Sequence, residues 1–393
     1  MQTIDSARQT AAPDGHPIEY STSSLSDAAW LDSLRELVER ELKPQVKEID
    51  QSGQYPREFM RNFGALGGFA QSCPRELGGG GRGLKAAIQA MEIVSQECLS
   101  TGFCVWCQDV CGWYIQHGDS DYLKSCVLPD VLSGERGAGT GLSNPMKHFA
   151  GIEKINLHAT RREGGYNVSG ALPWVSNAGT DHSFAFVARV EENDDYLMGV
   201  VPGEALGLEI GDGGHFIALE GSNTYSAHFR DAFIPDEWIL AHPSDSYVNR
   251  IRPGFILGQT GFGLGLIADC VALMKKADRR TAHVNCFLDD RAEHIEADLE
   301  AARLSIYALA EEIGTGYFDG RTPCEGLLQS VIKARITVSE LSLRASQAAM
   351  LYAGAAGYRS GGAVERKLRE SYFVAIVTPA LKHLKKLLAA MEA

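Results

Sequence analysis

Four short stretches carry residue types that chemistry can use. "GLSNPMKHF" (141–149) and "PWVSNAGT" (173–180) put small hydroxyl residues, Ser143 and Ser176, at the ends of β-rich segments. Hydroxyls there, with nearby backbone N–H groups, can hydrogen-bond a flat heteroaromatic ring edged with N and C=O. Trp174 can pack against such a ring. The plainer alternative is a pair of strand-end turns with Trp174 in the core. "DRRTAH" (278–283) ends a helical stretch with Arg279 and Arg280. Two arginines there either complement a helix C-terminus or clamp a pyrophosphate. "YAGAAGY" (352–358), with Gly354 and Gly357, closes another helical stretch. It serves as a tight turn or as a place where a ligand approaches the backbone.

A fifth stretch, "ESYFVAIVTPALKHLKK" (370–386), reads as a helix, because its apolar residues recur at helical spacing. Thr378–Pro379 interrupts it. A proline inside a helix loses a backbone hydrogen bond and clashes with the preceding turn, at about 3 kcal/mol. His383 follows five residues later, about 140° around an ideal helix. It is either a base for that bend or a solvated helix-end histidine. "ELGGGGRGL" (76–84) is rich in glycine, but the residues before it make a poor strand, so a surface turn fits better than a dinucleotide loop. Cys104, Cys107 and Cys111 share one helix face and lack a fourth ligand, so no metal site is expected. The nine cysteines are irregularly spaced, which argues against a disulfide framework.

These stretches sit in a chain whose texture changes twice. Residues 1–24 read as a flexible segment, and 25–135 as a helical domain. Residues 136–240 hold short β-rich runs separated by Gly, Asn and Asp, the mark of a compact antiparallel barrel or sandwich. Residues 241–393 return to long helices with short links, which predicts a four-helix bundle. The fold class is therefore α+β.

With 393 residues and 45% hydrophobic content, the chain can bury a large core. Its net charge of −13 argues against nucleic acid as a main partner. No unbroken run of eighteen apolar residues occurs, so no membrane span is expected. The N-terminus lacks a signal-peptide core, which makes the cytoplasm the expected location.

Taken together, the domain order and the motifs "LSNP", "WVSN", "RRT", "AGAAGY" and "VERKLRE" resemble the acyl-CoA dehydrogenase family of flavoproteins. The resemblance runs over roughly residues 28–393. It includes "PRELGGGGRGL" (74–84), similar to that family's P-x-E-x-GG-x-G turn, and "FRDAFIPDEWIL" (229–240), similar to its closing β segment. It implies bound FAD. Leu142 and Ser143 match the Leu/Val-Thr whose groups meet the flavin pyrimidine edge, although Asn144–Pro145 stands where the family has Glu-Pro. Trp174 and Ser176 match Trp-x-Thr, whose hydroxyl reaches the N5 side. Arg279 and Thr281 match Arg-x-Thr-Phe-Gly, which reaches the phosphates of a neighbouring subunit's FAD, with Ala282–His283 replacing Phe-Gly. Gly354 and Gly357 resemble the glycine segment that receives the adenine end. Sharing FAD in this way implies a homodimer or homotetramer.

The resemblance also says what the bend replaces. In the family the catalytic base, the Glu of Glu-Gly-Thr, follows "V-E-R" by about twelve residues. Thr378–Pro379–Ala380 stands there. Some relatives carry the base on the first bundle helix, but "NRIRPGFILGQTG" (249–261) contains no acid. A missing base is worth roughly 10²–10⁴ in rate. The first reading is therefore an FAD enzyme with oxygenase- or oxidase-like chemistry on a hydrophobic or aromatic acyl-CoA or aryl-CoA thioester. Trp106 and Gln108 would either line its pocket or simply pack their helix, O2 would be a co-substrate, and an electron-transfer flavoprotein or a flavin reductase would be its partner. The alternatives are an ordinary α,β-dehydrogenase with an unrecognised base, a two-component flavin monooxygenase acting on a free aromatic, and a protein that binds FAD or thioester without turnover.

Overall fold

The computed structural model describes Tyr20, Thr22, 24–316 and 326–393. Most of the segment expected to be flexible, and Cys324, lie outside the described residues. Tyr20 and Thr22 correct that expectation where they are described. Tyr20 is buried and donates its hydroxyl to the Gly78 carbonyl at 3.2 Å, and Thr22 Oγ1 donates to the Leu66 carbonyl at 2.8 Å.

The N-terminal part is helical: α1 (Asp27–Leu37), α2 (Val46–Ser52), α3 (Arg57–Ala65), α4 (Leu84–Glu97), α5 (Leu99–His117) and α6 (Leu128–Ser133). Ser26 caps α1 by accepting from the Ala29 N–H. From α1 to α2 the helix continues through a π turn and a 3-10 turn that absorb Pro44. Among the described residues no strand precedes the glycine-rich stretch before α4, and Gly78, Gly81 and Gly83 adopt positive φ there. The surface-turn reading of that stretch follows. Every residue of α5 from Leu99 to Gln116 is buried, including Cys104, Cys107 and Cys111. A helix apolar all round is a core helix.

The middle part holds β1 (Gly137–Thr140), the short α7 (Ser143–Phe149), β2 (Leu157–Arg162), β3 (Gly165–Val175), β4 (His182–Val190), β5 (Asp195–Pro202), β6 (Leu208–Ile210), β7 (Tyr225–Pro235) and β8 (Ile239–Ala241). The strands form one sheet in the order β6-β7-β3-β2-β4-β5-β8, with β1 added beside β4. The sheet is not wholly antiparallel. β1 runs parallel to β4, and β2 meets β4 in parallel through His158–Arg189 and Ala159–Val190. A parallel pair needs a crossover, and α7, β2 and β3 supply it between β1 and β4.

The C-terminal part contains α8 (Asp245–Asn285), α9 (Ala292–Gly316), α10 (Leu327–Ala353), α11 (Ala363–Ile376) and α12 (Leu381–Glu392). The expected last helix is thus two, broken at Thr378–Pro379. In length and composition α8 is apolar enough to cross a membrane, its Ile, Leu, Phe and Val residues raising the hydropathy although Gly, Gln259 and Thr260 interrupt the apolar run. Its apolar window is 78% buried inside the fold, as befits a core helix. Its glycines explain how closely it packs. A Cβ at Gly261 would sit 2.8 Å from the Ile88 carbonyl oxygen, and one at Gly265 would collide with the Glu92 carbonyl. Glycine there lets α8 lie against α4 almost backbone to backbone.

Candidate functional site

The hydroxyl residues singled out in the sequence gather where the sheet meets the bundle. β1 ends at Thr140, and β3 ends one residue before Ser176. Thr140 and Ser176 pair across that gap. Ser176 Oγ accepts from Thr224 Oγ1 at 3.1 Å. Thr140 Oγ1 lies 3.2 Å from the Tyr114 hydroxyl. Leu142 is buried at the start of α7, and Ser143 opens that helix half-buried. Trp174 does not enter the core. It is 44% exposed and meets Phe216 edge-on at 5.6 Å. Asn144, which replaces an acid, closes the following loop instead: its amide donates to Glu153 Oε1 at 2.9 Å and to the Lys154 carbonyl at 2.8 Å.

From the bundle side Thr378 meets these groups. α11 stops at Ile376, and α12 starts at Leu381 with Ala380 as its extended cap. The Thr378–Pro379 peptide is cis. Thr378 Oγ1 lies 3.0 Å from Ser143 Oγ, joining the last helices to the sheet. The Thr378 carbonyl accepts from Gln259 Nε2 at 2.8 Å. Gln259 Oε1 in turn accepts from Arg335 Nε at 3.1 Å, and Arg335 also donates to the Val374 carbonyl at 2.5 Å and to Ser339 Oγ. Gln259 and Arg335 are fully buried. Sequence reasoning missed both, because on long helices they look like ordinary surface residues. The available signal was weak: two cations, Lys333 and Arg335, two residues apart in the mainly apolar run "SVIKARITV" (330–338).

No carboxylate among the described residues hydrogen-bonds or ion-pairs within this network. Glu370 is held in the bundle core by Lys367 at 3.3 Å and Arg366 at 3.6 Å. His383 is buried at 5% exposure, and neither ring nitrogen has a hydrogen-bond partner. It lines a cavity of about 10 Å³ with Met146, Phe149, Arg252, Ile256 and Pro379. That is room for about one water. Burial, followed by the charges of Arg252, Lys386 and Lys147, pushes the imidazole down to about 4, so it is neutral at pH 7.

The expected pocket residues are occupied elsewhere. Trp106 stacks on Phe103 at 5.6 Å and meets Phe255 edge-on at 5.3 Å, and Phe103 meets Phe373 at 4.6 Å. This aromatic cluster binds α5, α8 and α11 together. The Gln108 amide donates to the Val131 and Arg136 carbonyls, while its oxygen accepts from Ala138 N–H and Asn177 Nδ2. Gln108 is therefore a staple between α5 and β1 rather than a pocket wall.

The other predicted cluster lies at the far end of the bundle. Arg279 and Arg280 are exposed near the end of α8. Thr281 departs from helical geometry, at φ −126°, and donates to the Ala277 carbonyl. Gly354 is exposed with φ +56°, a conformation that favours glycine. Exposed apolar residues surround this end: Val284, Phe287, Leu351 and Tyr358.

Residues 26–135 match the model of the acyl-CoA dehydrogenase N-terminal domain. Human mitochondrial short-chain specific acyl-CoA dehydrogenase is 26% identical over 362 residues, covering 87% of this chain and 84% of its own. Over most of its length the chain is similar to acyl-CoA dehydrogenases. A glutaryl-CoA dehydrogenase bound to glutaryl-CoA has the same fold, with a TM-score of 0.82 at 20% identity over 94% of this chain and 95% of that chain. So does the dibenzothiophene monooxygenase of Paenibacillus sp. A11-2, with a TM-score of 0.78 at 15% identity over 91% and 95%.

Members of the acyl-CoA dehydrogenase family are flavoproteins that use FAD. The residues present fit that group. Trp174 offers an indole face left uncovered by the core, and Ser143 and Ser176 offer uncharged hydroxyls, groups suited to a flat ring with polar edges. Arg279 and Arg280 offer exposed guanidinium groups suited to phosphates.

Proposed function

We propose that this protein is an FAD-dependent oxidoreductase that acts on a hydrophobic or aromatic acyl-CoA or aryl-CoA thioester by oxygenase- or oxidase-like chemistry. One observation supports the reading: Thr378, which by its spacing after "VER" matches the family's base, has its hydroxyl 3.0 Å from that of Ser143. Ordinary α,β-dehydrogenation needs a group that takes the α-proton near neutral pH, and a threonine hydroxyl cannot. When bound, FAD supplies two-electron chemistry, accepting a hydride or passing electrons to oxygen. The chain's own residues bind and orient it. Trp174 would pack against the ring, Leu142, Ser143 and Ser176 would meet its polar edges, and Arg279 with Thr281 would hold the phosphates of a neighbouring subunit's FAD. The half-exposed seam beside Thr378 receives the thioester.

The acyl-CoA dehydrogenases among the curated relatives support a thioester substrate, and the monooxygenase fold neighbour supports oxygen chemistry on this scaffold. Electrons come from the substrate or from a flavin reductase; in the dehydrogenase alternative they would pass on to an electron-transfer flavoprotein. The exposed far end, with its apolar rim, supports a homodimer or homotetramer that shares FAD, and the cytoplasm is the proposed location.

The deciding experiment is a visible spectrum of the purified protein, followed by anaerobic addition of acyl-CoA and aryl-CoA thioesters. A yellow protein that stays oxidised until a reductase is supplied, then consumes oxygen and incorporates it into product, is the expected result. Bleaching by a saturated thioester, with no later reaction with oxygen, would establish a dehydrogenase whose base is another residue. His383, whose ring nitrogens are both unpartnered, would be the first to replace.

A further inference from the structure

The bundle covers several cations wholly or in part, and it treats one of them differently. Lys367 pairs with Glu370 and Asp269, Arg366 with Glu370, Arg303 with Glu92, and Arg369 with Asp50 and Glu365. Arg335 is completely buried, and among the described residues no carboxylate pairs with it. Its partners are the Gln259 amide oxygen, the Ser339 hydroxyl one turn along α10, and the Val374 carbonyl, with the Phe262 ring 5.8 Å from the guanidinium carbon. Burial pushes the guanidinium down to about 9, which still leaves it charged at pH 7. An unpaired buried charge is costly, and an apolar residue of similar size usually costs less.

The bonds show where the charge acts. Val374 lies in the last turn of α11, whose carbonyl end carries partial negative charge. That end stops just before Thr378. Gln259 bridges Arg335 to the Thr378 carbonyl, and Thr378 reaches Ser143. A charge of +1 behind a helix end worth roughly −0.5 reverses the local sign. We propose that Arg335 is a positioning residue that acts electrostatically. Through Gln259 it holds the Thr378 turn, and its unpaired charge makes the seam at Thr378 and Ser143 favour an anion. The anion served would be negative charge that develops on the thioester or its product during turnover. That purpose rests on the proposed function, whereas the charge itself can be tested without flavin or substrate.

The test places a thiol in the seam with Thr378→Cys, at a half-buried position open to reagent. Its ionisation is read from the pH dependence of iodoacetamide alkylation, resolved by peptide mass spectrometry, in full-length protein. Four backgrounds are compared: Arg335, Arg335→Lys, Arg335→Met and Arg335→Gln. The other charged or titratable groups around the turn stay constant, namely Arg252 on α8, Lys147 on α7, and His383 and Lys386 on α12. With Arg335 or Lys the thiol should ionise about one pH unit lower than with Met or Gln, so that alkylation at pH 7.5 is roughly tenfold faster. At pH 10 the rates should converge. Two neutral replacements are included so that one that melts like the parent is available. Equal thiol ionisation in charged and neutral backgrounds would overturn the proposal. So would a rate difference that persists unchanged at pH 10, because that would report access rather than charge.

Discussion

At the seam, Ser143, Thr378, Gln259 and Arg335 satisfy one another across the sheet, α8, α10 and the α11–α12 turn. At the far end of the bundle, Arg279 and Arg280 point outward beside exposed Val284, Phe287, Leu351 and Tyr358. One end of the candidate cofactor site is thus fixed by its own chain, while the other presents unspent charge and uncovered apolar surface. A substitution at the seam should disturb folding and chemistry together. A substitution at the far end should disturb ligand retention with little effect on the fold.

The largest expected effect is at the seam. Thr378→Glu restores a proton acceptor where the family has one, and α,β-dehydrogenation of a saturated thioester should rise by about 10²–10⁴. Anaerobic bleaching of the flavin measures it, and an unchanged rate would mean that position 378 does not face the substrate's α-carbon. Next, Gln259→Leu strands the Thr378 carbonyl and one Arg335 donor in the interior. Urea unfolding should show a loss of about 2–3 kcal/mol.

A third effect depends on acid. An unfolded histidine takes its proton near 6.5, whereas His383 takes it only near 4 in the fold. Between those values the unfolded chain binds more protons, so stability should fall as pH drops, by at most about 1.4 kcal/mol per pH unit from this group. The His383→Gln variant should show a shallower fall between pH 6.5 and 4, and an identical pH profile would show that the ring is not held neutral. The smallest effect on the fold belongs to the far end. Arg279→Ala should change unfolding stability by less than about 0.5 kcal/mol. It should still weaken FAD retention, and added salt should shrink the difference from the parent, as it does for exposed charge. A destabilised Arg279→Ala protein would erase the contrast between the two ends.

Much of this was legible in the sequence because local signals and global packing agree. Hydrophobic period marks the helices, and Gly, Asn and Asp punctuate the strands. The break at Thr378–Pro379 follows from proline chemistry alone. Ser143 and Ser176 were readable because hydroxyls at strand ends are conspicuous. What stayed hidden depends on partners distant in sequence. Gln108 was read as a pocket wall, yet its bonds run to Val131, Arg136, Ala138 and Asn177. Trp106 gave no sign that aromatic rings from α8 and α11 would enclose it. Arg335 and Gln259 lie 76 residues apart, and no local pattern announces that one will bury the other. The parallel pairing of β1 was equally invisible, since four residues carry no direction of their own.

The enclosure of α5 gives the molecule a built-in clock. Cys104, Cys107 and Cys111 are wholly covered, and burial pushes their thiols far above the ordinary range. No reagent reaches them without an opening that dismantles the centre of the helical domain. Their labelling in native buffer therefore reflects rare, large excursions rather than surface breathing. When labelling is slow relative to reclosing, its rate reports the fraction of time that the helical domain spends open, and only when labelling outpaces reclosing does it count the openings themselves.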